Sequence, residues 1–104
     1  MRLNVYCIFD RASGVYDRPW CARSDAEAVR SFTDIASDAE HPIGKHPDDF
    51  TLFRIGTWHD SEGDLRGEAP EKVVNGAEAY SAAREIAPGS LNGLDIGNSA
   101  GLTK

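Results

Sequence analysis

The stretch "SDAEAVRSFTDIAS", Ser24 to Ser37, decides the fold. Ser24 with Glu27 three residues later forms a capping box, in which hydroxyl and carboxylate satisfy amide groups that a helix start leaves without partners. Ala28, Val29, Phe32 and Ile35 then recur at helical spacing and give one apolar stripe. Such a stripe has to be buried against another element, and in so short a chain that element is a sheet. The flanking sequence must therefore supply strands.

Upstream, Leu3, Val5, Cys7 and Phe9 alternate with Asn4, Tyr6 and Ile8, the period of two of a strand with one strongly apolar face. "DRASG", Asp10 to Gly14, follows with turn chemistry: aspartate bonds its own backbone two residues on, and glycine accepts positive φ. A second strand, Val15 to Ala22, closes a hairpin. Pro19 has no N–H to donate, which places this strand at a sheet edge.

Downstream, "SDAEHPIGKHPDD", Ser37 to Asp49, holds two prolines, a glycine and four acids without apolar periodicity, the composition of a loop. Strand character resumes from Phe50 to Trp58, where Gly56 signals a bulge or the close approach of another backbone. "HDSEGD", His59 to Asp64, is a second turn. Leu65 to Val74 is interrupted by Gly67 and Pro70, so the strand is read chiefly from Glu71 to Val74. Asn75 with Glu78 resembles another cap, opening a short alanine-rich helix through about Ile86.

The order strand, strand, helix, strand, strand, helix predicts an α+β fold: a small antiparallel sheet of two hairpins, with a capped helix packed on one face and a second short C-terminal helix. Residues 1–87 are expected to form a single domain. The remainder, 88–104, is rich in Gly, Ser and Asn and reads as a flexible tail, whose Leu91, Leu94, Ile96 and Leu102 offer a short peptide for docking on a partner.

Composition limits the functions available. With 104 residues, 40% of them hydrophobic and 27% charged, the chain reads as one ordinary soluble domain. No apolar run approaches the roughly 20 residues that cross a bilayer, and "MRLNVYCIF" lacks the features of a secretory signal. Cys7 and Cys21 fall on neighbouring strands, so a cross-strand bridge is geometrically conceivable. Without an export signal the compartment is expected to be reducing, and the pair is then read as two buried small hydrophobes. The formal charge is −6, from 17 acidic and 11 basic residues. Because Lys and Arg drive affinity for phosphates, that balance disfavours non-specific nucleic-acid binding unless the cations gather on one face.

Catalytic patterns are missing. "GK" at Gly44 and Lys45 is no phosphate-binding loop, since Ala39 stands where that loop needs its first glycine and His46 where it needs Ser or Thr. His41, His46 and His59 with Asp48, Asp49 and the cysteines lack the close ligand pairs of a zinc site and read as solvated or capping groups. No serine sits in a strand-turn-helix elbow, and neither cysteine has a histidine nearby in sequence. No enzyme, metal site or cofactor is expected. The local case for binding is aromatic: Tyr6, Tyr16 and Trp20 can share one face of the first hairpin, with Arg18 and also Arg2 and Arg23 alongside, and single-stranded bases stack on such platforms. The same rings can instead pack beneath the Val29 and Phe32 stripe.

Taken together, "LNVYCIFDRASGVYDRPWCARSDAEAVRSF" (Leu3 to Phe32) and "GKHPDDFTLFRIGTWHDSEGDLRG" (Gly44 to Gly67) resemble the small nonstructural protein of gokushoviruses, tailless single-stranded-DNA phages of the Microviridae. The resemblance covers about Met1 to Val74. It implies a product of the infected bacterial cytoplasm, left out of the virion and assigned to genome replication, as a factor in single-stranded DNA synthesis or a DNA-binding protein. No catalytic residues come with it. The function expected is that of a non-enzymatic accessory protein contacting phage or host replication proteins through a sheet edge and the loop containing His41, Lys45, His46, Asp48 and Asp49. Direct single-stranded DNA binding through Tyr6, Tyr16, Arg18, Trp20 and Arg23 is the alternative, and a homo-oligomeric scaffold or host-factor antagonist is a third.

Overall fold

A computed structural model describes residues 1–85, so the predicted tail and the predicted helix end at Ile86 lie outside the described residues. The elements in chain order are β1 (Arg2–Asp10), β2 (Val15–Tyr16), β3 (Trp20–Ala22), α1 (Asp25–Ala36), α2 (Pro42–Lys45), a 3₁₀ turn (Pro47–Asp49), β4 (Phe50–His59), β5 (Asp64–Asn75) and α3 (Gly76–Glu85). Every strand pairing is antiparallel, in the order β2–β1–β4–β5, with β3 also paired to β1. This is the α+β arrangement expected from the two hairpins and two capped helices.

The capping box forms as read. The Glu27 amide donates to Ser24 Oγ at 3.2 Å, while the Glu27 carboxylate reaches one residue further back and accepts from the Arg23 amide at 2.8 Å. Ala28, Phe32 and Ala36 are buried, with Val29 and Ile35 half-buried beside them. This stripe packs on Tyr6 and Ile8 of β1 and Leu52 of β4, and Ile43 and Ala79 complete the core. At the start of α3, Asn75 Oδ1 accepts from the Ala77 amide at 2.9 Å and the Glu78 carboxylate accepts from the Asn75 amide at 2.8 Å. Asn75 Nδ2 also reaches the Asp48 and Phe50 carbonyls and Thr51 Oγ1, at 3.1, 3.2 and 3.0 Å, joining four segments at one corner.

Four expectations need correction. The second strand is not continuous: Asp17 to Pro19 leave the ladder between β2 and β3, because proline has no donor to continue it, although the Asp17 amide still bonds the Ile8 carbonyl at 2.8 Å. The segment Ser37 to Asp49 is not irregular throughout. Pro42 fixes the first turn of α2, His41 Nδ1 caps it by accepting from the Ile43 amide at 3.1 Å, and Ile43 supplies the apolar anchor. β5 is a single strand through Gly67 and Pro70, because it lies at the sheet edge, where a missing donor costs nothing, and it shifts register between Arg54 and Gly56 of β4. At Gly56 any Cβ would overlap the Arg66 carbonyl oxygen of β5, the close backbone approach that this glycine signals. Finally, Cys21 is exposed, not buried, and both cysteines are free thiols.

Candidate functional site

The helices cover only one face of the sheet. Tyr6 and Ile8 alternate with Val5, Cys7 and Phe9, so the second set points to the opposite side. Register extends that side across the sheet: Val5 faces Cys21 and Gly56, Cys7 faces Phe53, Leu3 faces Trp58, and Trp58 faces Leu65. No described element packs over this second face. Its middle is nonetheless closed by neighbouring side chains, with Val5 and Cys7 only 6% and 1% exposed. Its two ends are open: Tyr16 is 45% and Leu65 66% exposed.

Near one end the rings of Phe9, Tyr16 and Phe53 form a cluster. Phe9 and Tyr16 have centroids 4.7 Å apart, and Phe53 stands edge-on to both at 6.3 and 5.6 Å. The sequence places Leu3, Val5, Cys7 and Phe9 on the stronger apolar face, and that face is the one the helices leave uncovered. The readable signal is in β1 itself, where "LNVYCIF" is apolar on both sides, the pattern of a strand buried on both. Phe53, Trp58 and Leu65 were not among the expected site residues.

The five residues expected to form an aromatic and arginine face do not share one surface. Tyr6 is fully buried beneath α1, where its hydroxyl donates to Asp25 Oδ1 at 2.5 Å and accepts from Asn4 Nδ2 at 3.0 Å. Burial, then the Asp25 contact, pushes the Tyr6 hydroxyl up to about 12. Trp20 packs against the same core, with its ring 6.2 Å from Tyr6. Tyr16 lies across the sheet, and Arg18 and Arg23 are exposed. Arg54 links the edge of this network, approaching Asp25 at 3.5 Å and pairing with Glu71 of β5.

The loop residues are divided in the same way. Asp48 and Asp49 turn toward Arg11 of the first hairpin, at 3.7 and 2.6 Å, because they sit in a 3₁₀ turn and not in extended chain. His41 caps α2, which leaves Lys45 and His46 exposed. His59 ends β4 at the far side of the sheet from His41 and His46. Among the described residues, no three His, Cys, Asp or Glu side chains gather in a way that could hold a metal ion. Burial, then the negative charge of Asp17, raises the Cys7 thiol above its ordinary value and leaves it protonated and unreactive at neutral pH.

Among the described residues, concavities lie elsewhere. One, of about 250 Å³, opens beside the first turn above Ile8, Ile43 and Phe50, with Asp10 and Asp17 at its wall. Another, of about 610 Å³, is a groove between α1 and α3 floored by small residues such as Ala26, Ala79 and Ala82. The first also carries Ser13, while its Asp10 and Asp17 carboxylates accept from the Ala12 and Arg18 amides at 3.0 and 2.7 Å. Among the described residues no helix is long and apolar enough to cross a membrane. Comparison with curated proteins and with solved structures gives no match. Residues 3–79, which span the sheet from Leu3 of β1 onward, both capped helix starts and the uncovered face, match the model of the family described as Phage ORF5 protein, and the chain belongs to that phage family.

Proposed function

We propose that the protein is a non-enzymatic accessory protein of a gokushovirus-like single-stranded-DNA phage, acting in the host bacterial cytoplasm and supporting genome replication through protein–protein contacts. One observation carries this reading: the second face of the sheet is apolar across β1 and β4 and lies open at both ends, at Tyr16 and Leu65. Apolar side chains exposed on a sheet face in this way are the kind of surface that marks interaction sites in small proteins. Several polar groups, by contrast, are engaged structurally. Ser24, Asn75, Glu27 and Glu78 cap helices, Asp25 holds Tyr6, and Asp49 holds Arg11.

A second reading, direct binding of single-stranded DNA, is favoured by the Phe9, Tyr16 and Phe53 cluster, since exposed rings on a sheet stack unpaired bases. The nearest cation of the first turn, Arg11, is already paired with Asp49. Titration with a labelled oligonucleotide at several salt concentrations separates the readings: steeply salt-dependent affinity supports DNA contact, and no binding at low salt removes it.

The leading reading is tested in infected cells with phage carrying Tyr16→Asp and Leu65→Asp in this protein. Both positions are exposed, so the fold is retained. Single-stranded progeny DNA falls relative to the double-stranded form. Unchanged single-stranded synthesis refutes the proposal.

A further inference from the structure

We infer that the second face of the sheet is covered by a second copy of the same chain, forming a two-fold dimer with the two sheets packed face to face and the helices outside. The inference rests on the protein-contact reading above and names the partner.

Three observations support a like copy over other occupants. The first is the pattern of the central strands. β1 sends Tyr6 and Ile8 to the helices and Val5, Cys7 and Phe9 to the other side; β4 sends Phe50 and Leu52 to the helices and Phe53 and Trp58 to the other side. Strands apolar on both sides belong to sheets covered on both sides, and α1 and α3 account for one cover only.

The second is charge. The chain carries −6 overall, yet the β1–β4 register on this face, Leu3 to Phe9 opposite Thr51 to Trp58, contains no charged side chain. Two copies with the same net charge can approach through that face without opposing charges, whereas a nucleic acid would find no Lys or Arg there to meet its phosphates. At the border, Lys72 is already paired with Glu78 at 3.2 Å.

The third is size and shape. With strands about 4.8 Å apart and about 3.3 Å of rise per residue, the face measures roughly 25 by 20 Å, so two copies cover on the order of 1,000 Å² between them, the lower bound for a specific interface. Packed sheets lie about 10 Å apart, and in the orthogonal class their strands cross at near right angles. The edges are less suited to pairing: Pro19 interrupts one, and Glu68, Pro70 and Glu71 stand along the other. Tyr16 and Leu65 lie at diagonally opposite corners of the face, so a two-fold axis lying in the interface and running across that diagonal sets the ring cluster of one copy over Trp58 and Leu65 of the other, with the strands of the two sheets near-orthogonal.

The experiment measures the mass of the full-length protein by light scattering over a dilution series, together with the rate at which a maleimide modifies Cys21. Cys21 is the exposed thiol and stands beside Val5 on this face. The expected result is a mass that rises about twofold with concentration from the 11.3 kDa of one chain, with Cys21 modification slowing in step. Tyr16→Asp with Leu65→Asp holds the protein at monomer mass, because each copy would have to bury two new carboxylates. Ser31→Asp, on the exposed side of α1, leaves the dimer intact, and circular dichroism confirms the fold of both variants. A monomer at every concentration with Cys21 open overturns the inference. So does a monomer whose Cys21 is protected at every dilution, since residues 86–104 of the same chain would then be the cover. A dimer indifferent to the two substitutions also overturns it, because another surface is then in use. Failure here is distinguishable from failure of the functional reading: a monomeric wild type whose Tyr16→Asp/Leu65→Asp form still loses single-stranded synthesis removes the dimer alone, and a face-to-face dimer whose disruption leaves that synthesis unchanged removes the reading alone.

Discussion

Replacing Tyr6 by Phe removes one oxygen atom from the place where α1 meets the sheet. The ring stays buried and keeps its packing, so the loss is confined to the hydroxyl, which donates to Asp25 at 2.5 Å and accepts from Asn4 at 3.0 Å. A hydrogen bond to a charged acceptor contributes about 1.5–3 kcal/mol. Asp25 is 48% exposed and retains water and Arg54 as partners, which places the expected loss near the lower end, about 1–2 kcal/mol. For a domain of this size that lowers Tm by roughly 4–16 °C. Urea denaturation near neutral pH measures it directly, and Asp25→Asn alone and combined with Tyr6→Phe gives the coupling between the two groups. The alkaline limb supplies an independent check. The folded-state pKa of Tyr6, about 12, lies above the ordinary 10.0, so the stabilisation is complete below pH 10 and declines as pH rises toward 12. Over those two units the wild type loses on the order of 2–3 kcal/mol that the Phe variant does not. The reasoning is refuted if Tyr6→Phe matches the wild type at neutral pH and follows the same alkaline profile.

Asn75→Ala removes a helix cap and three further hydrogen bonds from one corner, so a loss of about 2–4 kcal/mol is expected in chemical denaturation, and a loss under 1 kcal/mol would show that water replaces them. Gly56→Ala forces its new methyl group against the Arg66 carbonyl of the adjacent strand and should cost at least about 1–3 kcal/mol, with faster amide exchange along the β4–β5 hairpin as the structural readout. Glu78 is held below its ordinary pKa by the Asn75 amide first and by Lys72 second. Its contribution is therefore present above the ordinary value and is lost as pH falls through the lower folded value. Glu78→Gln should flatten the acid limb of a Tm-against-pH curve, with the gap to wild type widest near neutrality and closing at the acid end.

Local chemistry made most of the fold legible. Ser24 with Glu27 and Asn75 with Glu78 are short-range devices, complete within four residues, and both helices start where those residues put them. The strand breaks were harder because proline and glycine have positional meaning that only the neighbours settle. Pro19 divides the second strand, whereas Pro70 sits in the register shift where β5 passes Ile55, and the strand continues through it. The helical turn at Pro42 to Lys45 escaped notice because a single turn has no periodicity, and its signals, His41 as cap and Ile43 as anchor, look like loop residues in isolation. The candidate aromatic face failed to assemble for a related reason. Tyr6 and Tyr16 are both on hairpin strands, but which side of the sheet each faces depends on register: Tyr16 pairs with Phe9, and Phe9 lies three positions, and therefore one face, away from Tyr6.

That parity also explains why the most apolar face is the uncovered one. A helix packs where it can be anchored as well as where it can exclude water, and the Tyr6 face offers Asp25 a hydroxyl and a nearby guanidinium at Arg54 while still presenting Ile8 and Leu52 to Phe32. On the opposite face the β1–β4 register holds no charged side chain to anchor a helix start; its polar atoms are the hydroxyls of Thr51 and Tyr16, the Trp58 indole N–H and the thiols of Cys7 and Cys21. Such a surface has little means of fixing a helix in register, but it suits a flat, apolar layer whose position is set by shape. The amphipathic helix therefore takes the side with the charged anchors, and the other side is left uncovered by the described helices.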